Sequence, residues 1–251
     1  MIDEYLNLTP ENIASEHLCC IIRNRKPYPG VEAKREWLKE RIQEGHVFRK
    51  RNVKGCCFIE YAPLETAWVP VIGKQYIYIY CLWTNGDQRG KGYGKELMEY
   101  CIADAKAKGK SGICMLGALK QKNWLSSQAF AKKYGFKTAD TTKDGYELLA
   151  LSFDGTLPQF ASSAKRQQIS DRQLTIYYSM QCPFVLQKVA EIQKYCSEKN
   201  IPCALIHVNS LAMAKSLPCV FNNWGIFYRD KFETVNLLDT VSIDKLLNRA
   251  E

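Results

Sequence analysis

Long hydrophobic runs are missing from this 251-residue chain: none approaches the ~20 apolar residues that span a bilayer. The start, Met1-Ile2-Asp3-Glu4, is acidic and lacks the basic-then-apolar order of a secretory leader. Both absences point to a cytoplasmic protein with no membrane partner. Histidine is scarce, at positions 17, 46 and 207 only, and no two of the eleven cysteines stand in C-x-x-C spacing. The sequence thus offers no metal site and no disulfide framework. Its cysteines, mostly inside apolar segments, read as buried free thiols in a reducing compartment.

Two common phosphate loops are also missing. The mononucleotide loop needs Gly, four residues, then Gly-Lys-Ser/Thr; here Arg89 holds the first glycine's place before Gly94, and Lys95 is followed by Glu96. The dinucleotide fingerprint needs Gly-x-Gly-x-x-Gly, but its third position falls on Lys95 counted from Gly92 and on Leu97 counted from Gly94.

What is present is core-forming material, 46% hydrophobic, with a net charge of +9. Residues 1–153 hold 24 basic and 17 acidic side chains, so the positive excess sits in the N-terminal part. An anionic small molecule accounts for it. Nucleic acid does not, because no basic helix or stacked-aromatic pattern accompanies the charge.

Taken in order, Thr9-Pro10-Glu11 opens a predicted helix with Ile13, His17, Leu18, Ile21 and Ile22 on one face. A basic turn over 23–30 precedes a second helix over 32–44, which Gly45 stops. Strands are predicted at 47–50 and 53–61, and at 76–83, apolar on both faces as an interior strand should be. Beyond a glycine loop, Leu97, Met98, Cys101, Ile102 and Ala105 form one helical stripe, ended by Gly109. A strand at 112–117, a helix at 124–134 and strands from Phe136 and at 146–153 complete a domain over 1–153. Residues 154–173 turn polar and read as a connector. A second domain over 174–251 offers strands at 174–178, 203–208, 217–221 and 225–229. Its helices are predicted at 183–198, 212–215 and 243–247. The fold class is α/β: a mixed central sheet with flanking helices, then a small α/β domain.

The stretch joining strand 76–83 to the helix at Tyr93 is the one that implies chemistry. It carries glycines at 86, 90, 92 and 94. The first N–H groups of a helix have no internal partner, and the helix dipole adds positive charge there. Glycines let the main chain approach an anion closely. The spacing Arg89-x-x-Gly92-x-Gly94, set between a strand and a helix, resembles the pyrophosphate loop of the Gcn5-related N-acetyltransferases (GNAT). The strand at 113–116 and Tyr134-Gly135-Phe136 follow at the family's distances.

That resemblance implies the GNAT acyl-CoA N-acyltransferase fold, with acetyl-CoA as co-substrate and an amine of a small molecule or peptide as acceptor. It places Arg89, Gly90, Lys91, Gly92, Tyr93 and Gly94 on the pyrophosphate. It places Leu82, Trp83 and Thr84 along the pantetheine arm, on a strand splayed from its neighbour, with one N–H toward the thioester oxygen. Tyr28, Trp37 and Trp68 would flank the amine pocket. One departure concerns the acid: where many members carry a tyrosine four residues before the Gly-Phe glycine, this chain has Ala131. No carboxylate lies on strand 76–83 either, so Glu60 and Glu65 are the candidates for the base, with Tyr78 and Tyr80 behind them.

The second domain resembles a thioredoxin-like fold, with Cys182-Pro183 at a helix start and Pro218, expected cis, opposite the cysteine. A thiol at a helix N-terminus is activated, but Val185 stands where a C-x-x-C partner would be. A two-thiol oxidoreductase is therefore disfavoured. An acetyltransferase domain followed by this tail is similar to the bacterial YoaP-type acetyltransferases. Two other readings stay open: a non-catalytic CoA-binding module, and a monothiol redox protein centred on Cys182.

Overall fold

The structure, a computed structural model, describes residues 4–20, 28–53 and 56–249. The chain divides into two compact units. One takes in the chain before Tyr28, then Arg35–Ala67 and Val71–Phe160; the other takes in Tyr28–Lys34, Trp68–Pro70 and Ala161–Glu251.

The first unit is built on a seven-stranded sheet. In chain order its elements are β1 (Tyr5–Asn7), α1 (Pro29–Gln43), β2 (Val47–Arg51), β3 (Cys57–Pro63), β4 (Val71–Ile72), β5 (Tyr76–Thr84), α2 (Tyr93–Ala107), β6 (Gly112–Ala118), α3 (Gln128–Lys133), β7 (Lys137–Thr141), β8 (Tyr146–Ser152) and β9 (Gln159–Phe160). The strand order is β1-β2-β3-β5-β6-β8-β7, with β4 and β9 forming a separate pair. Only β5 and β6 run parallel, as the crossover through α2 requires. The α2 stripe of Leu97, Met98, Cys101 and Ala105 is buried against Ile59, Tyr61, Ile77, Ile79, Ile113 and Met115 of the sheet. Each such side chain contributes about 1.5–3 kcal/mol on burial.

The second unit carries α4 (Ser162–Arg166), β10 (Leu174–Tyr178), α5 (Pro183–Glu198), β11 (Cys203–His207), α6 (Leu211–Lys215), β12 (Trp224–Tyr228), β13 (Lys231–Thr234) and α7 (Thr240–Leu247). Its sheet runs β11-β10-β12-β13. The first pair is parallel and the other two antiparallel. Leu174, Ile176, Val185, Ile192, Trp224, Ile226 and Ile243 form its core.

Five expectations change. Residues 9–20 form turns and bends with no helix. Thr9 and Asn12 exchange backbone-to-side-chain bonds, and Ser15 Oγ donates to the Asn12 carbonyl, so polar side chains take bonds that a helix needs. Ile21, Ile22 and residues 23–27 of the predicted turn lie outside the described residues. The helix predicted from 124 begins at Gln128, because Ser127 Oγ accepts from Phe130 N–H and caps it. Residues 217–221 are buried but irregular: Pro218 has no N–H for a ladder, and its carbonyl accepts from Gln167 N–H at 2.9 Å. The fourth strand is β13, joined to β12 by a turn at Arg229 and Asp230 with φ of 51° and 67°. Residues 154–173, read as a connector, hold β9 and α4.

Candidate acyl-transfer site

The site begins where two parallel strands part. Pairing of β5 with β6 runs from Tyr76–Gly112 to Ile79–Met115 and stops, although both strands continue. On its other edge β5 stays paired to β3 as far as Thr84–Cys57. A bulge helps the strands diverge. Glu60 faces Cys81 while Tyr61 faces Ile79, so Tyr80 is the extra residue, and bulges bend the strand that carries them.

A cleft of about 260 Å³ opens at the split, lined by Ile79, Leu82, Trp83, Thr84, Arg89 and Gly94 on the β5–α2 side. Met98, Met115, Ser126, Ser127, Phe130 and Ala131 complete its lining. Five of the nine predicted cofactor residues, Leu82, Trp83, Thr84, Arg89 and Gly94, thus meet in one cavity. Gly90 and Gly92 stand just outside it with φ of +75° and +87°, and a Cβ on either would touch nothing within 4 Å. Gly92 caps α2 without a side-chain bond. The helix therefore presents bare N–H groups beside Arg89 and the exposed Lys91. Tyr93 lies under the Arg51 guanidinium, 3.6 Å from its ring centre. Trp83 is 38% exposed, so the strand end is open to ligand.

This cradle fits an acyl-CoA. Backbone groups along the split suit an extended amide arm, and bare helix N–H groups with Arg89 suit a pyrophosphate. Such a thioester, when bound, supplies an activated acyl group.

The predicted base candidates separate. Glu60 is wholly buried, with Oε1 3.1 Å from His46 Nε2. His46 stacks on Tyr80 with centroids 5.2 Å apart, and Trp37 meets both rings edge-on. Tyr80 meets Tyr78, whose phenol burial pushes well above its ordinary range and keeps neutral. Glu65 belongs elsewhere: it accepts from Gln75 N–H at 2.7 Å and approaches Lys110 Nζ, at the start of β5 and β6. Strands rise about 3.3 Å per residue, so Glu65, held at Gln75, lies about four residues or ~13 Å along β5 from the last β5–β6 pair and does not line the cleft.

Tyr28 and Trp68 are grouped in the second unit and Trp37 in the first. There Cys182 is the N-cap of α5, with Pro183 in its first turn, and Val185 is fully buried. The Leu217–Pro218 bond is trans, since no cis peptide occurs among the described residues. The cis-proline expected at Pro218 is therefore not found among the described residues of this domain.

Ser126, Phe130 and Met115 were not anticipated from sequence. Ser126-Ser127 before an apolar run is a capping signal, and it could have located the loop but not its reach across to β5.

Residues 13–136 match the Acetyltransferase (GNAT) family. That is the class defined by the split sheet and the open start of α2, and the chain belongs to it. Over 246 residues, 97% of this chain and 98% of the other, it is 33% identical to the uncharacterized N-acetyltransferase YoaP of Bacillus subtilis (strain 168). Residues 202–245 match the YoaP-like family. Similar solved structures include a ribosomal-protein-alanine N-acetyltransferase from Brucella melitensis, with 15% identity, 59% of this chain and 99% of that one covered, and a TM-score of 0.42. Another is PaiA N-acetyltransferase from Thermoplasma acidophilum with coenzyme A, with 16% identity, 59% and 99% covered, and a TM-score of 0.40.

Proposed function

We propose that this chain transfers an acetyl group from acetyl-CoA to an amine of a small molecule or peptide, directly, with both substrates bound. The observation that carries this reading is the parting of β5 from β6 beside an uncapped, glycine-led helix start. In the reaction the amine nitrogen forms a bond to the thioester carbonyl carbon, the carbon–sulfur bond breaks, and the thiolate takes a proton. The chain orients the acyl group with β5 backbone donors and neutralises the pyrophosphate with Arg89 and the α2 N–H groups.

The ammonium proton leaves through the Glu60–His46 pair. In this reading Glu60 and His46, hydrogen-bonded to each other and buried behind Tyr80, act as one proton-accepting unit. Free-thiol release from acetyl-CoA across a panel of small amines and peptide N-termini tests the activity. A general base contributes about 10²–10⁴-fold. Glu60→Gln should lower kcat by at least the smaller factor and flatten the alkaline rise of the rate. An unchanged pH profile removes Glu60 from the mechanism.

For the second unit, the order β11-β10-β12-β13 with Cys182 ahead of α5 supports a thioredoxin-like module in a binding or structural role. The fully buried Val185, in the place of a second thiol, argues against dithiol exchange.

A further inference from the structure

Beyond Ile79, β5 N–H groups that point toward β6 have lost their strand partner. One of them is satisfied in an unusual way: Leu82 N–H donates to Ser126 Oγ at 3.1 Å, across the split. Both residues line the cleft. Ser126 stands on a braced loop. Gln121 Nε2 donates to the Lys122 and Leu125 carbonyls at 3.0 and 3.1 Å, and Gln128 N–H donates to Gln121 Oε1. Gln128 Oε1 in turn accepts from Ala118 N–H at the end of β6. Within this loop Trp124 holds φ +65°, a left-handed backbone costing about 1–3 kcal/mol for a bulky residue. Such strain persists only where surrounding bonds impose it.

Toward Leu82 the serine acts as acceptor, so that bond does not use its hydroxyl proton, which is free to turn toward the cleft that Ser126 lines. The other hydroxyls there are differently placed. Ser127 Oγ caps α3, and the Thr84 methyl lies where a Cβ on Gly94 would meet it. Turning the proton about the Cβ–Oγ bond lets Ser126 donate without moving its oxygen or the loop. Leu82 N–H and Ser126 O–H then stand side by side on one wall as two donors, the arrangement that holds a carbonyl oxygen gaining charge.

We propose that Ser126 is an acyl-positioning residue: it satisfies Leu82 N–H in the free protein and, on acyl-CoA binding, joins Leu82 N–H in donating to the thioester oxygen. This rests on the acyl-CoA reading of the cleft. Because the hydroxyl accepts in one state and donates in the other, the contact depends on the ligand's carbonyl, and affinity for the rest of the CoA does not.

The test compares acetyl-CoA with S-ethyl-CoA, which lacks the carbonyl, by calorimetry on wild type, Ser126→Ala and Ser126→Thr. One neutral hydrogen bond corresponds to a change of about five-fold. Ser126→Ala should lose about that much preference for acetyl-CoA over S-ethyl-CoA, while Ser126→Thr keeps it. The carbonyl stretch of bound [1-¹³C]acetyl-CoA should lie higher in Ser126→Ala than in wild type. An unchanged ratio and stretch in Ser126→Ala overturn the proposal. Equal loss for both ligands in both variants also overturns it, because the serine would then only brace the loop. If wild type binds neither ligand, the acyl-CoA reading falls and this proposal falls with it.

Discussion

Helices α2 and α5 begin alike and end up opposite. Each follows an inner strand of its sheet through a short loop, and they are 15 and 16 residues long. The start of α2 is open: Gly90 and Gly92 have positive φ, and nothing lies within 4 Å of where a Cβ would stand. The start of α5 is filled by its own chain. A Cβ on Gly30 would fall 1.8 Å from the Pro183 carbonyl oxygen. Tyr28 hydrogen-bonds Gln187, and its ring lies 6.2 Å from that of Phe184. Pro183 also removes one of the N–H groups that an anion would use. A helix N-terminus therefore marks a site only where packing leaves it bare, and the same strand–loop–helix grammar serves ligand binding in one unit and chain docking in the other.

The contrast breaks most directly at glycine. Gly30→Ala must lift residues 28–30 from α5 and should cost about 1–3 kcal/mol by overpacking. Gly90→Ala meets no atom and bears only the left-handed strain, about 1 kcal/mol. Thermal unfolding of the two variants should rank them in that order, and equal losses would erase the distinction between closed and open ends. Next comes the anion. Arg89→Ala should weaken CoA binding about ten-fold, the scale of one charge-assisted bond, and leave the unfolding midpoint unchanged. Calorimetry with CoA reads this directly.

The smallest effect concerns pH and separates the units by a different route. His207, at the end of β11, stacks on Tyr178 at 5.2 Å, and partial burial lowers its pKa below the ordinary value. The unfolded chain then takes up the proton more readily than the folded one. Stability is complete above the ordinary value of ~6.5 and declines as pH falls through it. Because His207 is exposed, solvent screening keeps this to about a degree in Tm. His207→Gln should remove the dependence.

The glycine loop before α2 was legible because its information is local. Positive-φ glycines and an uncapped helix start are fixed by residue type and spacing, and the strand and helix around them follow from apolar periodicity. The proton chemistry was not legible in that way. Glu60 was a candidate only by its strand, yet it is wholly buried, and His46 reaches it only through the β2–β3 pairing. Glu65 looked close in sequence but lies at the far end of β5. Ser126 meets Leu82 across 44 positions, a contact that exists only once β5 and β6 have diverged. The place of Tyr28–Lys34 in the second unit was hidden for the same reason. Strand β13 was missed because its turn, Arg229-Asp230, lacks the Asn-Gly pair that announces a hairpin.

The parted strands have one further consequence. A seven-stranded sheet has two edges, here β1 and β7, and the split gives it two more in its interior. An inner edge is a template for an extended polyamide to join as a guest strand, through main-chain groups that every residue possesses. Recognition of that kind places little demand on which side chains occupy 82–84. The bulge at Tyr80 stands where that inner edge begins.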